Sequence, residues 1–234
     1  MILVVASRFD PAAQQLVSAW KHAEAELCTA EDASGPGWRF EPHDPGSATA
    51  VAGGRRVRAA DIDAVVTLRP AIDARELAHI VPDDRAFVAA ETTAFLMAFL
   101  AALHCPVANR AGGSALSGPM LRPEEWCRLA HLAGIVPLAV ERTVPGGMRT
   151  EPYDTAAARK VFVAGDRVIG DVAPGLAARA VALGRAAGIV MLEAAFTGDA
   201  EDARLICASA QPPLHDAPRR ALLLSALLPA AVCA

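Results

Sequence analysis

Short, unbroken apolar runs separated by helix-length stretches constrain this chain more than any other feature. Met1–Ala6 is the first such run, and it ends in the polar turn Ser7–Asp10. Pro11 then opens a helical stretch to about His22, with Leu16, Val17 and Trp20 on one face. Proline suits a first helical turn because its missing N–H would have gone unpaired there. Glu26–Ala30 reads as a second strand, Asp63–Leu68 as a third and His104–Asn109 as a fourth. DAVVTL, at 63–68, has the near-continuous apolar character of a strand covered on both faces. Strands alternating with helices predict an α/β fold with a parallel sheet.

Between the second and third runs the pattern changes. Gly37–Glu41 and Ser47–Ala52 are extended pieces, and Gly53-Gly54 supplies a tight turn before Arg55–Arg58 returns. This predicts a small antiparallel hairpin. A long helix follows from Asp83 to about Leu103, with two acids at its positive end. Phe87, Ala90, Ala94, Met97 and Leu100 recur along it at helical spacing, which marks it as a buried helix. Pro123–Ala133 is a second helix, with Trp126, Leu129 and Ala130 on one side and Gly134 as its stop.

The irregular stretch Arg142–Thr155, which holds two prolines and two glycines, is a candidate boundary between lobes. Val161–Ala164 and Arg167–Gly170 then flank Gly165-Asp166, a strong hairpin signal. A helix at Pro174–Ala187, strands at Ile189–Ala195 and Arg204–Ala208, and a closing helix from Ala217 to about Leu228 complete the chain.

Charge and cysteine usage narrow the function classes. A formal net charge of -4 provides no field for nucleic acid. Arg55, Arg56 and Arg58 cluster at a hairpin tip, where solvation accounts for them more simply than a phosphate does. The five cysteines show no CxxC pair, so neither a zinc site nor a disulfide framework is expected. Cys28, Cys105 and Cys207 lie in apolar runs and read as small hydrophobes in a reducing, cytoplasmic setting. Phe87–Leu103 is interrupted by Glu91, and Leu222–Ala234 is too short to span, so no membrane partner is expected.

Catalytic motifs are sparse. Ala111-Gly112-Gly113-Ser114 lacks the Gly-Lys-Ser/Thr ending of a phosphate loop, and ASRFDPAAQ has no glycine for a dinucleotide. The six histidines form no HxxxH pair, and Pro42 and Pro45 around His43-Asp44 point to a rigid turn. Ser114 and Ser117 lack a nucleophile elbow.

Several segments together resemble the ATP-grasp ligases that modify ribosomally made peptides. They are VAAETTAFLMAFLAAL, CPVANR, EEWCRLAHLAGI with Pro137, RKVFVAGDRVIGDV at Arg159–Val172, LGRAAGIVMLEAAF and ARLICASAQPPL. Arg69-Pro70 after DAVVTL adds to the likeness. The resemblance implies a pre-ATP-grasp-like parallel-sheet domain at 1–110 and a shortened ATP-grasp-like α+β lobe at 111–234.

The departures from that family bear directly on chemistry. The family holds phosphates with a lysine and a Gly-rich loop, yet only Glu141–Ala158 is available to build them, and Lys160 lies inside the hairpin. Where the family carries Glu-x-Asn-x-x-Pro, this chain has Cys207, Ser209 and Pro212, and Met191 stands near a further acidic position, with Glu193 close by. Magnesium needs hard oxygen ligands. The expectation is a non-catalytic protein without cofactor that resembles the truncated ATP-grasp accessory proteins of crocagin-type pathways. Such a protein would hold or shield a precursor peptide beside other pathway enzymes.

Edge strands bind extended peptides through free backbone groups. The peptide is therefore placed along the hairpin, at Lys160, Val161, Phe162, Val163, Arg167 and Ile169, with Arg149 and Tyr153 as neighbours. Pairing of that strand internally, or across a homodimer, is the competing expectation. The alternative function is a minimal ATP-dependent carboxylate–amine ligase using Lys160 and Glu193.

Overall fold

The computed structural model describes residues 1–113, 115–143, 147–150 and 157–228. It comprises two compact units, Met1–Pro119 with Pro213–Ala234, and Met120–Pro212.

In the first unit, β1 (Ile2–Val5) pairs in parallel with β2 (Ala25–Cys28). Between them runs α1 (Pro11–Ala19), capped by the Asp10 carboxylate on the Ala12 N–H at 2.9 Å. A short helix α2 (Ala30–Ser34) follows, closed by a reciprocal box between Thr29 and Asp32. Sequence pattern does not reveal this helix, because five residues are too few to show a period. β3 (Thr49–Ala52) and β4 (Arg55–Arg58) form the expected hairpin. Gly53 and Gly54 have φ of 55° and 71°, the paired left-handed geometry that a two-residue turn of this kind needs.

β5 (Ala64–Thr67) pairs with the other side of β1, and after α3 (Arg85–Ala102) the two-residue strand β6 (Val107–Ala108) joins β5. The sheet is therefore parallel, in the order β2-β1-β5-β6. All four residues of β1 and of β5 are buried, as their continuous apolar character predicts.

α3 departs from the expected orientation. With the turn before it (Pro82–Ala102), it is the one helix among the described residues long and apolar enough to cross a membrane. Its inward stripe is Ala89, Thr92, Leu96, Phe99 and Leu100, whereas Phe87, Ala90 and Ala94 face outward. A helix apolar nearly all round carries too weak a stripe for periodicity to orient it. Its buried side meets Trp38, whose ring stands edge-on to Phe95 at 5.4 Å and to Phe99 at 5.1 Å.

Arg69, just beyond β5, forms a buried two-pronged pair with Glu76, at 2.9 and 3.2 Å, and also donates from Nε to the Ala71 carbonyl. The Cys28 thiol lies in this core, and burial pushes its pKa far above the ordinary range.

The second unit begins with α4 (Pro123–Leu132), on which Trp126, Leu129 and Ala130 are buried as expected. Where an irregular boundary was expected, β7 (Val140–Thr143) and β8 (Gly147–Thr150) pair as a hairpin, and the described chain on both sides belongs to the same unit. β9 (Arg159–Ala164), β10 (Arg167–Ile169), α5 (Pro174–Ala187), β11 (Met191–Phe196) and β12 (Leu205–Ser209) follow. They build an antiparallel sheet in the order β10-β9-β11-β12.

At the start of α5 the Gly175 N–H donates to Glu201 at 2.8 Å, and Arg179 holds the same carboxylate at 3.0 Å. A side chain at position 175 would have to displace the Glu201 carboxylate from this seat.

The closing helix α6 (Ala217–Leu227) buries Leu223 and Leu227. It belongs to the compact unit of the N-terminal sheet, so residues 213–234 return to that unit instead of continuing the second one. A single division at 110/111 does not describe that return.

Removing one partner of a buried, hydrogen-bonded pair strands the other charge, at a cost of about 3 kcal/mol. Glu76→Ala is therefore expected to lower unfolding free energy by about that amount, read from the urea midpoint.

Candidate functional site

The site is one face of the second sheet together with its β10 edge. Residues opposite one another in register project from the same face. Val161 and Val163 of β9, Leu192, Ala194 and Phe196 of β11, and Leu205 of β12 form a single core with Trp126, Leu129, Leu176, Ala180 and Leu183. That face is therefore the one clothed by α4 and α5.

The other face follows from register. Phe162, Glu193 and Ser209 are in line, Lys160, Ala195 and Cys207 form the next rank, and Ala164 pairs with Met191. Met191, Glu193, Cys207 and Ser209 thus lie on a single face.

The chemistry of that face is limited. Lys160 Nζ stands 3.6 Å from Glu193 Oε1, on a carboxylate side chain only 14% exposed. Desolvation, and then the Glu193 charge, push the Cys207 thiol up, with Lys160 opposing them. The thiol therefore stays protonated at neutral pH. Ser209 Oγ accepts from the Gln211 N–H at 3.1 Å.

One charge-paired carboxylate, one neutral thiol and one hydroxyl do not make a magnesium site, which needs several hard oxygens in near-octahedral array. No group of three or more potential metal ligands occurs among the described residues. The described residues of this face do not fit a metal-bound nucleotide.

The edge differs from the sequence expectation. β9 is an interior strand, bonded to β10 on one side and to β11 on the other. Val161, Phe162 and Val163 are fully buried, so neither their backbone nor their side chains line an open edge. Lys160 projects from the face opposite α4 and α5, Arg167 is exposed on β10 and Ile169 is half-buried there. Arg149 lies in β8, paired with Glu141, and nothing is described of its side chain. Tyr153 is outside the described residues.

The open edge belongs to β10, beyond which no strand pairs among the described residues. Its register is fixed by Gly165 (φ 59°) in a two-residue turn that makes Arg167 and Ala164 opposite. Opposed residues alternate between bonded and non-bonded pairs. Gly165 N–H donates to the Val190 carbonyl at 2.8 Å, which aligns the odd-numbered residues of β9 with β11. Val163 therefore spends its backbone on β11, and Val168, opposite it, turns its own N–H and C=O outward. Val168 is missing from the residues expected along the peptide, although the turn length and the alternation rule suffice to find it.

Elsewhere, the basic cluster is partly neutralised, with Arg55 on Glu26 and Arg58 on Asp61, each at 2.7 Å. His43 is exposed beside Glu41, Ser117 is buried, and Ser114 is outside the described residues.

No protein-family profile and no curated protein matches the sequence. Solved structures do match in fold. One is ATP-grasp ligase PsnB complexed with minimal precursor, Mg and ADP, with a TM-score of 0.66 at 13% identity over 97% of this chain and 98% of that one. The macrocyclase MdnC bound with precursor peptide MdnA, from Microcystis aeruginosa MRC, gives a TM-score of 0.69 at 10% identity over 98% and 99%. The Chryseobacterium gregarium RiPP-associated ATP-grasp ligase, in complex with ADP and a leader and core peptide, gives 0.66 at 10% identity over 97% and 96%. The chain therefore has the fold of peptide-maturing ATP-grasp ligases, with a parallel-sheet part and an antiparallel-sheet part, as the resemblance implied.

The raised Cys207 pKa lowers its thiolate fraction at pH 8, and the thiolate is the reactive species. Alkylation by iodoacetamide is expected to run severalfold slower than at free cysteine, and Glu193→Gln is expected to accelerate it. Peptide mass mapping over a time course reads both rates.

Proposed function

We propose that this chain binds an extended precursor peptide by adding it as a strand to β10, and that it carries out no ligation. The observation that carries the reading is the outward-facing backbone of Val168 on an edge without a partner strand among the described residues. Main-chain bonds at such an edge provide affinity, and alternate side chains provide selectivity. Half-buried Val168 and Ile169 flank the position on opposite faces of the sheet, with exposed Arg167 beside them. The similar ligases, whose structures contain precursor or leader peptides, support a peptide as the occupant. The donor set around Glu193 supports the absence of phosphoryl chemistry, which depends on positioning and charge neutralisation.

The protein would accordingly hold or shield a peptide for modifying enzymes in the cytoplasm. A homodimer made through the same edge is the competing occupant.

The second reading, a minimal ATP-dependent ligase, is favoured by one observation, the closeness of Lys160 to Glu193. A ligand that binds only the native state raises its melting temperature. ATP with magnesium is therefore expected to leave the melting temperature unchanged. A clear rise abolished by Lys160→Ala would favour the ligase instead.

Peptides encoded by short reading frames beside the gene, and MdnA as an outside probe, are the ligands for calorimetric titration. Proline is tolerated where the lost N–H faced outward. Val168→Pro is thus expected to keep the wild-type melting temperature and weaken peptide binding about tenfold, the worth of roughly one hydrogen bond. Unchanged affinity in a folded Val168→Pro variant rejects the β10 edge, and size-exclusion mass measurement shows whether a second copy occupies it.

A further inference from the structure

Glu193 is the one carboxylate that the second sheet carries on the face opposite α4 and α5 among the described residues, and two neighbours flank it in a defined order. Ser209 lies directly opposite on β12, and Lys160 lies diagonally across on β9, one rank along from Phe162. The Lys160 ammonium reaches back to Glu193 Oε1 at 3.6 Å. Lys160 is itself 63% exposed, and such half-solvated pairs add little to stability. Stability therefore does not account for the placement of this lysine, and its electrostatic consequence is the more informative one.

We infer that Lys160 is the resident cation of this face, standing beside Glu193 Oε1, one of the two oxygens that a divalent ion serving this carboxylate would use. This deepens the non-ligating reading and rests on it. Exclusion of metal, and of nucleotide that arrives with metal, is then built in twice: the ligands are lacking, and the one carboxylate left already has its counter-charge. A divalent ion bound to Glu193 would lie within one coordination shell of a fixed ammonium, and like charges at that distance repel strongly wherever water is partly excluded. The protonated Cys207 thiol, in the next rank, offers the ion no compensating ligand.

Register supplies the test. Ser209→Asp places a second carboxylate directly opposite Glu193, and Mn²⁺ serves as the probe, read by the loss of its free paramagnetic signal. The wild-type chain and Ser209→Asp are expected to bind Mn²⁺ weakly, if at all, at millimolar concentration. Ser209→Asp combined with Lys160→Ala is expected to bind at least about tenfold more tightly, a difference of about 1.4 kcal/mol. Adding Glu193→Gln is expected to abolish the gain.

If the double variant does not melt cooperatively, Lys160→Gln replaces Lys160→Ala. A folded double variant that binds Mn²⁺ no better than Ser209→Asp overturns the inference, as does micromolar Mn²⁺ binding by the wild-type chain. Peptide affinity is read separately on the wild-type chain without metal. A failure there removes the peptide reading while leaving the Mn²⁺ comparison intact.

Discussion

Side-chain alternation along β11 is the constraint on which the second unit depends. Bonded on both sides, this strand sends Leu192, Ala194 and Phe196 into the helical core and Met191, Glu193 and Ala195 to the opposite face. A slip of one residue would drive the Glu193 carboxylate into that core and take three apolar side chains out of it, since side chains along a strand alternate strictly between faces. The two-residue turn at Gly165-Asp166 pins β9 against β10, and β11 is pinned in turn by the Gly165–Val190 bond. The register that buries the core therefore also decides which residues share the opposite face and which backbone groups stay at the edge.

In both units the chain meets its less solvated charges with charges of its own. Arg69 takes Glu76 in a buried, two-pronged geometry, and Lys160 takes Glu193. The first pair is dry enough that losing one member is costly, while the second is wet on the lysine side and contributes through its position. The same interaction type thus serves stability in one unit and selectivity in the other, and solvent exposure separates the two roles.

Elements with a strong local signature are legible in the sequence alone. β1 and β5 are continuous apolar runs, Pro174–Ala187 carries proline at its start and glycine after its end, and the β3–β4 and β9–β10 hairpins announce themselves by glycine-containing turns. What escapes has physical causes. α2 is shorter than any periodic signal, α3 is too uniformly apolar to orient, and β7–β8 lies in a stretch whose prolines and glycines read as irregular. The return of 213–234 to the first unit is a tertiary fact with no local signature. At the site, residue chemistry is legible while neighbour relations are not. Lys160, Glu193, Cys207 and Ser209 stand out by residue type, but their common face emerges only from the strand register. β9, along which Val161–Val163 were expected to meet a peptide, is bonded on both sides, which no local pattern announces.

The start of α5 carries the same logic to a further position. A helix N-terminus ordinarily presents unpaired N–H groups and a partial positive charge, a natural seat for a phosphate. Here a carboxylate tethered in the loop after β11 already fills that seat, with Gly175 bare enough to admit it and Arg179 clasping it from the next turn. An incoming anion would have to displace a rival that is tethered to the chain and never diffuses away.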